Sequence, residues 1–280
     1  MGHHYTPQKH LSRFECSERK HHIWQYDKST GQFSSKPLSI GEVAQEKGYY
    51  PEDIETSLNF NVEIPANRCI QKILRRETPN WEESQDLAAY IITMASRGPL
   101  HRKKNNLRVK RIFDQTLKET KPLIMTAFHG QLREKKLSEL AEIKFNSKNP
   151  VIERLIKTPF QSNRSIECIK NMCWEIAPAP ESMQYITSDT PAHYFEGIGI
   201  GRVDSELTIT LSKDIALIGH NRHSPRTINF RKPNRQITME INRRMISASV
   251  RFIFASKPEE WITEGAQKTL RLNNIWWRCA

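Results

Sequence analysis

Apolar residues recur at helical spacing through most of the first 170 positions, then give way to short runs rich in Ile, Thr, Val and Phe. In PANRCIQKILRRE, Ile70, Ile73 and Leu74 share one helical face, and Pro65 stands where a helix would open. QDLAAYIITMASR is apolar nearly all round, which predicts a helix at the centre of the core. Asn80 and Glu83 precede it at the spacing of a capping box. PEDIETSLNF predicts a helix begun by Pro51 with acids in its first turn, and IGEVAQEKGYY a brief helical turn ending at Gly48. From Leu107 onward the spacing stays helical through Leu117, Leu132, Leu137, Leu140 and Ile143, broken by Pro150 and Pro159.

The remaining pattern is that of strands. HIWQYDKSTGQF predicts a hairpin, with β-formers at Ile23, Trp24 and Tyr26 and turn residues from Lys28 to Gly31. After Cys173, the runs YITSDTPAHYF, ELTITLSKDIALIG, RQITMEINRRM and SVRFIFAS all read as strands. The expected fold class is therefore α+β, with a mostly helical N-terminal part (1–170) packed on a β-rich C-terminal part (171–280). No repeat or low-complexity linker divides the chain, so a single domain over residues 1–280 is expected.

Bulk properties narrow the function classes. At 280 residues the chain can bury a full core. No run approaches eighteen apolar residues and no secretory signal opens the sequence, so a cytoplasmic protein without a membrane partner is expected. The five cysteines are scattered without a C-x-x-C pair, as reduced thiols are. A net charge of +12 favours a polyanionic partner, and in the cytosol that means nucleic acid. The charge is clumped: RGPLHRKKNNLRVKR, from Arg97 to Arg111, holds seven Lys/Arg and no acid, and a second basic stretch runs from Gly219 to Gln236.

No enzyme signature stands out. There is no phosphate loop, no H-E-x-x-H and no G-x-S-x-G, and GIGIGR from Gly197 reads as a bend between strands rather than a dinucleotide fingerprint. What remains are polar residues in suggestive settings. His3, His4 and Gln8 cluster in the opening stretch, where Met-Gly-His-His resembles a tag scar but Leu11 and Phe14 argue that the native chain has begun. Asp27 and Lys28 sit at the hairpin tip, Glu46 precedes Tyr49 and Tyr50, and Glu55 and Glu63 flank a helix. Asp189 ends a strand halted by Pro191. A carboxylate there, facing a histidine from elsewhere, suits general acid/base work or a metal ligand; the alternative is that Thr187, Ser188 and Asp189 cap a turn.

Seven blocks occur in an order that resembles a family known as domain of unknown function 4238: HHYTPQKHLSRF, IWQYDKSTG, VAQEKGYY, ETSLNFNVEI, ASRGPLHR, YITSDTP and VRFIFAS. The family pattern of His-x-x-Pro-Gln and Leu-x-x-Phe is matched by His4, Pro7, Gln8, Leu11 and Phe14, and its Tyr-Asp-Lys-x-Thr-Gly by Tyr26 to Gly31. Its Glu before an aromatic pair resembles Glu46, Tyr49 and Tyr50; Arg97 to Pro99 and Thr187 to Pro191 resemble two further motifs. Thr190 stands where the family usually has Asn, and Gly48 where it favours an acidic or aromatic residue. The resemblance implies a bacterial or phage-borne protein of a group in which some members look like single-gene antiphage defence systems. It does not supply an activity.

Charge and context together give the expected function: a cytosolic antiphage effector that binds and cleaves nucleic acid, RNA ahead of DNA. In that reading His4 is the general acid or base, with Glu46 and Asp189 as partner carboxylates or metal ligands. Gln8 and Arg97 orient the phosphate, and Arg102, Lys103, Lys104 and Arg108 track the backbone. No metal set follows from the sequence; Mg²⁺ or Mn²⁺ are the ions such chemistry would use. The competing reading is a non-catalytic nucleic-acid-binding or phage-sensing protein of the same defence type.

Overall fold

A computed structural model describes residues 2–157, 162–194, 199–221 and 227–276, and shows an α+β protein. Its chain divides into two compact units, residues 1–99 with 159–280, and residues 100–158. Pro159, Cys279, the start of GIGIGR and positions 222–226 of the second basic stretch lie outside the described residues.

In the first unit, the opening strand β1 (Gly2–His4) leads into a short helix α1 (Gln8–Leu11) and a hairpin of β2 (His22–Asp27) and β3 (Gln32–Phe33). Gly31 turns that hairpin at a positive φ of 71°, which favours glycine. After β4 (Leu38–Ser39) and β5 (Gln45–Lys47) come the helices α2 (Glu52–Leu58), α3 (Ile64–Leu74) and α4 (Trp81–Ser96). In α3 the buried positions Ala66, Cys69, Ile70 and Ile73 follow the helical repeat. The capping box forms: Asn80 Oδ1 accepts from the Glu83 N–H at 2.9 Å while the Glu83 carboxylate accepts from the Asn80 N–H at 2.8 Å, which stabilises the start of α4 by about 1 kcal/mol. The expected central helix is α4, which buries Leu87, Ala88, Tyr90, Ile91, Ile92 and Met94.

Two expectations are corrected. VAQEKGYY forms the strand β5 rather than a helical turn, antiparallel to β1 with His3 opposite Glu46 and His4 opposite Gln45. Ala44 and Gly48 flank it at positive φ, so the local backbone is set by pairing with the distant N-terminus and not by helix propensity. RQITMEINRRM is not a strand but lies in a helix, Arg235–Ala248, whose buried residues are Thr238, Ile241, Asn242, Met245 and Ile246. Its repeat of three and four is carried partly by polar residues, so an apolar-only pattern conceals it. Both are satisfied: Thr238 Oγ1 donates to the Asn234 carbonyl, and Asn242 bonds the backbone of Gln184 and Ile186.

Beyond residue 162, helix α8 (Asn163–Lys170) is followed by β6 (Cys173–Pro178), β7 (Thr187–Ser188), β8 (Ala192–Tyr194), β9 (Glu206–Thr210), β10 (Ile215–His220) and β11 (Ile228–Phe230). The helix at Arg235–Ala248 (α9), β12 (Phe252–Ala255) and α10 (Glu260–Trp276) follow. One sheet runs β11-β6-β10-β9-β8; a second runs β3-β2-β12-β7, with β4 also on β2. The N-terminal hairpin thus pairs with a strand from the other end of the sequence, Tyr26 opposite Ile253.

The second unit is helical: α5 (Pro99–Ala127), α6 (Gly130–Glu142) and α7 (Pro150–Lys157). Val109, Phe113, Leu117 and Ile124 form a half-buried stripe along α5, Phe113 meets Phe145 at 5.5 Å between ring centroids, and the Asn105 amide donates to the Leu155 carbonyl at 3.0 Å. No helix among the described residues is long and apolar enough to cross a membrane.

Candidate functional site

The candidate site begins with the register of β1. Residues directly opposite in an antiparallel pair share a face and successive residues alternate. His3 therefore lies with Glu46, and His4 points the other way. The His3 Nδ1 accepts from the Tyr50 N–H at 3.2 Å and its Nε2 stands 3.3 Å from a Glu52 carboxylate oxygen. His4, 8% exposed, lies against α1, where the Gln8 amide donates to its Nε2 at 2.9 Å.

Opposite His4 the backbone between α2 and α3 widens into a π-helical segment, Asn59–Glu63, a distortion of the kind that recurs at functional sites. Glu55, Asn59 and Glu63, each four residues apart, line a cleft of about 390 Å³ together with His4, Gln8 and Arg97. Lys9, Thr56 and Phe60 also line it. Arg97, at the end of α4, is the floor: its side chain is 1% exposed. Nη1 donates to Glu63 Oε1 at 2.6 Å and Nη2 to the His4 carbonyl, with Glu55 Oε2 4.0 Å away. The Arg97 carbonyl accepts from the Tyr49 and Tyr50 hydroxyls at 3.0 and 2.9 Å, and the guanidinium lies 5.5 Å from the Tyr50 ring centroid. One buried arginine thus ties β1, the π segment and the Tyr49–Tyr50 pair together.

Burial sets the protonation states. It lowers the pKa of His4, helped by the Arg97 charge and opposed by the Val43 backbone and Glu63, so the imidazole is held neutral. It raises the Glu55 carboxyl, with Glu63 adding and Arg97 opposing. The pKa of Arg97 is raised: burial alone would lower it, but Tyr50, Glu63 and Glu55 outweigh that. The cleft therefore holds a neutral imidazole and a carboxyl biased toward its protonated form, complementary states for proton transfer.

Of the residues singled out from the sequence, His4, Gln8 and Arg97 meet here. Glu46 is exposed and shares the face of His3. Asp189, fully buried, is occupied elsewhere: its carboxylate accepts the backbone N–H groups of Val250, Arg251 and Phe252 at 2.8, 2.7 and 2.9 Å. Burial raises its pKa against those three amides and Lys28. Beside it, Lys28 Nζ donates to the carbonyls of Ile246 and Ser249 at the end of α9, and Asp27 pairs with Arg251 at 2.8 Å. This arrangement fits the turn-capping alternative for Asp189 and binds the Tyr-Asp-Lys motif to the same junction. Gly98 is required by that junction, since a Cβ there would meet the Asp189 carbonyl oxygen at 2.6 Å.

Arg102, Lys103, Lys104 and Arg108 lie on α5 in the second unit; Arg102 is half-buried and the other three are exposed. Lys9, Thr56, Asn59 and Phe60 were not anticipated from the sequence. The spacing of Glu55, Asn59 and Glu63 carried the available signal, one helical face with two acids. Among the described residues, no three His, Cys, Asp or Glu side chains gather in a geometry that would hold a metal ion.

Residues 2–259 match the family described as Protein of unknown function (DUF4238), and the chain belongs to that family. No curated protein and no solved structure matches it.

Proposed function

We propose that the protein binds nucleic acid through α5 and cleaves it at the His4 cleft, RNA in preference to DNA, as a cytoplasmic antiphage effector. The observation that carries the reading is where the charge lies. Residues 100–158 hold fifteen Lys/Arg against six Asp/Glu, +9 of the chain's +12. On α5, Lys103, Lys104, Arg108, Lys110, Arg111, Lys118 and Lys121 are exposed, while Val109, Phe113, Leu117 and Ile124 are half-buried. From Lys103 to Lys121 this basic face is about 27 Å long at 1.5 Å per residue. A polyanion with closely spaced phosphates is the partner that such a face attracts, by release of its counterions.

Cleavage is supported by the neutral imidazole of His4 and the raised carboxyl of Glu55 in one cleft. A second reading, a binder without catalysis, is favoured by one contact: the Gln8 amide occupies the His4 Nε2 lone pair that a base would use. Incubating the full chain with labelled RNA and DNA, beside His4→Gln, separates them. Wild-type cleavage lost in the variant supports the effector; salt-sensitive binding with intact substrate supports the binder.

A further inference from the structure

We infer that the His4 cleft takes an unpaired ribonucleotide and opens its 3′-phosphodiester by attack of that nucleotide's own 2′-hydroxyl. The inference rests on the nucleic-acid reading above and specifies its substrate and chemistry.

A cavity of about 390 Å³ accommodates one nucleotide and excludes a paired helix. Phe60, 62% exposed at its edge, offers a ring on which a splayed-out base can stack. Asn59 and Thr56 stand beside it with side-chain groups able to read a base edge, and Lys9 supplies a cation for the phosphate.

Glu55 Oε2 is buried and accepts no hydrogen bond from the described residues, although its side chain is 30% exposed overall. Arg97 Nη2, 4.0 Å away, is beyond hydrogen-bond reach, so this oxygen can still bond a ligand in the cleft. His4 is held from behind by its own backbone, whose carbonyl accepts from Arg97. When substrate displaces the Gln8 amide toward a non-bridging phosphate oxygen, Nε2 is left to take a proton.

The step balances without a further reactant. The 2′-hydroxyl proton passes to His4 Nε2 as the 2′-oxygen bonds to phosphorus. The bond from phosphorus to the 5′-oxygen of the next nucleotide breaks, and Glu55 donates the proton that this oxygen takes up. The products are a 2′,3′-cyclic phosphate and a 5′-hydroxyl. DNA lacks the nucleophile, and no metal-bound water is needed to replace it.

The test uses the full chain in EDTA with four end-labelled substrates: an unstructured RNA, the same RNA with 2′-deoxy residues, its DNA equivalent and a fully paired RNA. The expected result is cleavage of the unstructured RNA alone, with cyclic phosphate and 5′-hydroxyl ends identified by mass spectrometry. Glu55→Gln should cut at least about a hundredfold more slowly with unchanged binding, the loss expected for a general acid. Phe60→Ala, at a position 62% exposed, should raise KM about tenfold or more, the range of one lost stack, with kcat less affected. Equal cutting of the deoxy substrates, 5′-phosphate ends, or binding without cleavage would overturn the inference while leaving nucleic-acid binding in place. No binding to any of the four at about 50 mM salt would overturn the underlying reading instead.

Discussion

Arg97 and Glu63 hold each other at 2.6 Å in the floor of the cleft, with the arginine side chain 1% exposed and the glutamate 15%. A buried pair of this kind is costly to break from one side, because the remaining charge is left without a partner. Arg97→Met or Glu63→Gln should each lower unfolding free energy by about 3–5 kcal/mol. The double variant should cost less than the sum of the two. Urea denaturation of the three proteins measures this, and additive losses would show that the pair is not coupled.

Stability should fall in mild acid. Burial holds His4 below the ordinary histidine value of 6.5 and His10 well below it. His10 is wholly enclosed, bonded through Nδ1 to the Tyr90 hydroxyl and through Nε2 to Thr187 Oγ1, each at 3.0 Å. Above pH 6.5 both rings are neutral in either state and contribute no pH dependence. As the pH drops below that value, the unfolded chain binds protons that the folded chain refuses, and stability is lost at up to about 1.4 kcal/mol per pH unit for each ring. His10→Gln should be less stable at pH 8 but show a shallower slope between pH 6.5 and 5. An unchanged slope would mean that His10 is not held neutral.

Glu55 acts with the opposite sign. Its folded pKa is raised, so it favours the folded state below the ordinary carboxylate value, and that contribution disappears as the pH rises through the folded pKa. Glu55→Gln keeps the shape of the protonated carboxyl and removes the titration. At neutral pH it should be as stable as the wild type or more so, in a thermal melt that also serves as the folding control for its loss of cleavage.

Asp189→Asn separates an anchor from a catalyst. The carboxylate receives three backbone N–H groups through two oxygens, and an amide must turn its NH₂ toward at least one donor. The expected cost is about 2–4 kcal/mol of stability, with RNA cleavage retained well below the melting temperature. Loss of cleavage at full stability would return Asp189 to the reacting groups.

What the sequence makes legible follows a physical division. Contacts local in sequence showed plainly: the Asn80–Glu83 capping box, the hairpin turning at Gly31, and the all-round apolar α4 need only neighbours a few residues away. α9 did not, because Thr238 and Asn242 occupy core positions and are paid for by hydrogen bonds to backbone groups as far as residue 184. The cleft was legible as members but not as a set. His4, Gln8, Glu55, Glu63 and Arg97 each drew notice, yet their meeting depends on Arg97 reaching back 93 residues to the His4 carbonyl. The setting of Asp189 is hidden for the same reason: its three donors lie 61 to 63 residues further on, and nothing around YITSDTP announces them.

The central claim is that the exposed face of α5 meets nucleic acid, and a salt titration of RNA affinity tests it most directly. Wild type and a variant with Lys103, Lys110, Arg111 and Lys118 changed to Gln would be compared by fluorescence anisotropy with a single-stranded RNA. The account predicts a linear fall of log K with log salt for the wild type, and a slope smaller by about 3 in the variant, at about 0.7 per lost phosphate contact. Identical slopes and affinities in the two proteins, or no binding by the wild type at low salt, would contradict it.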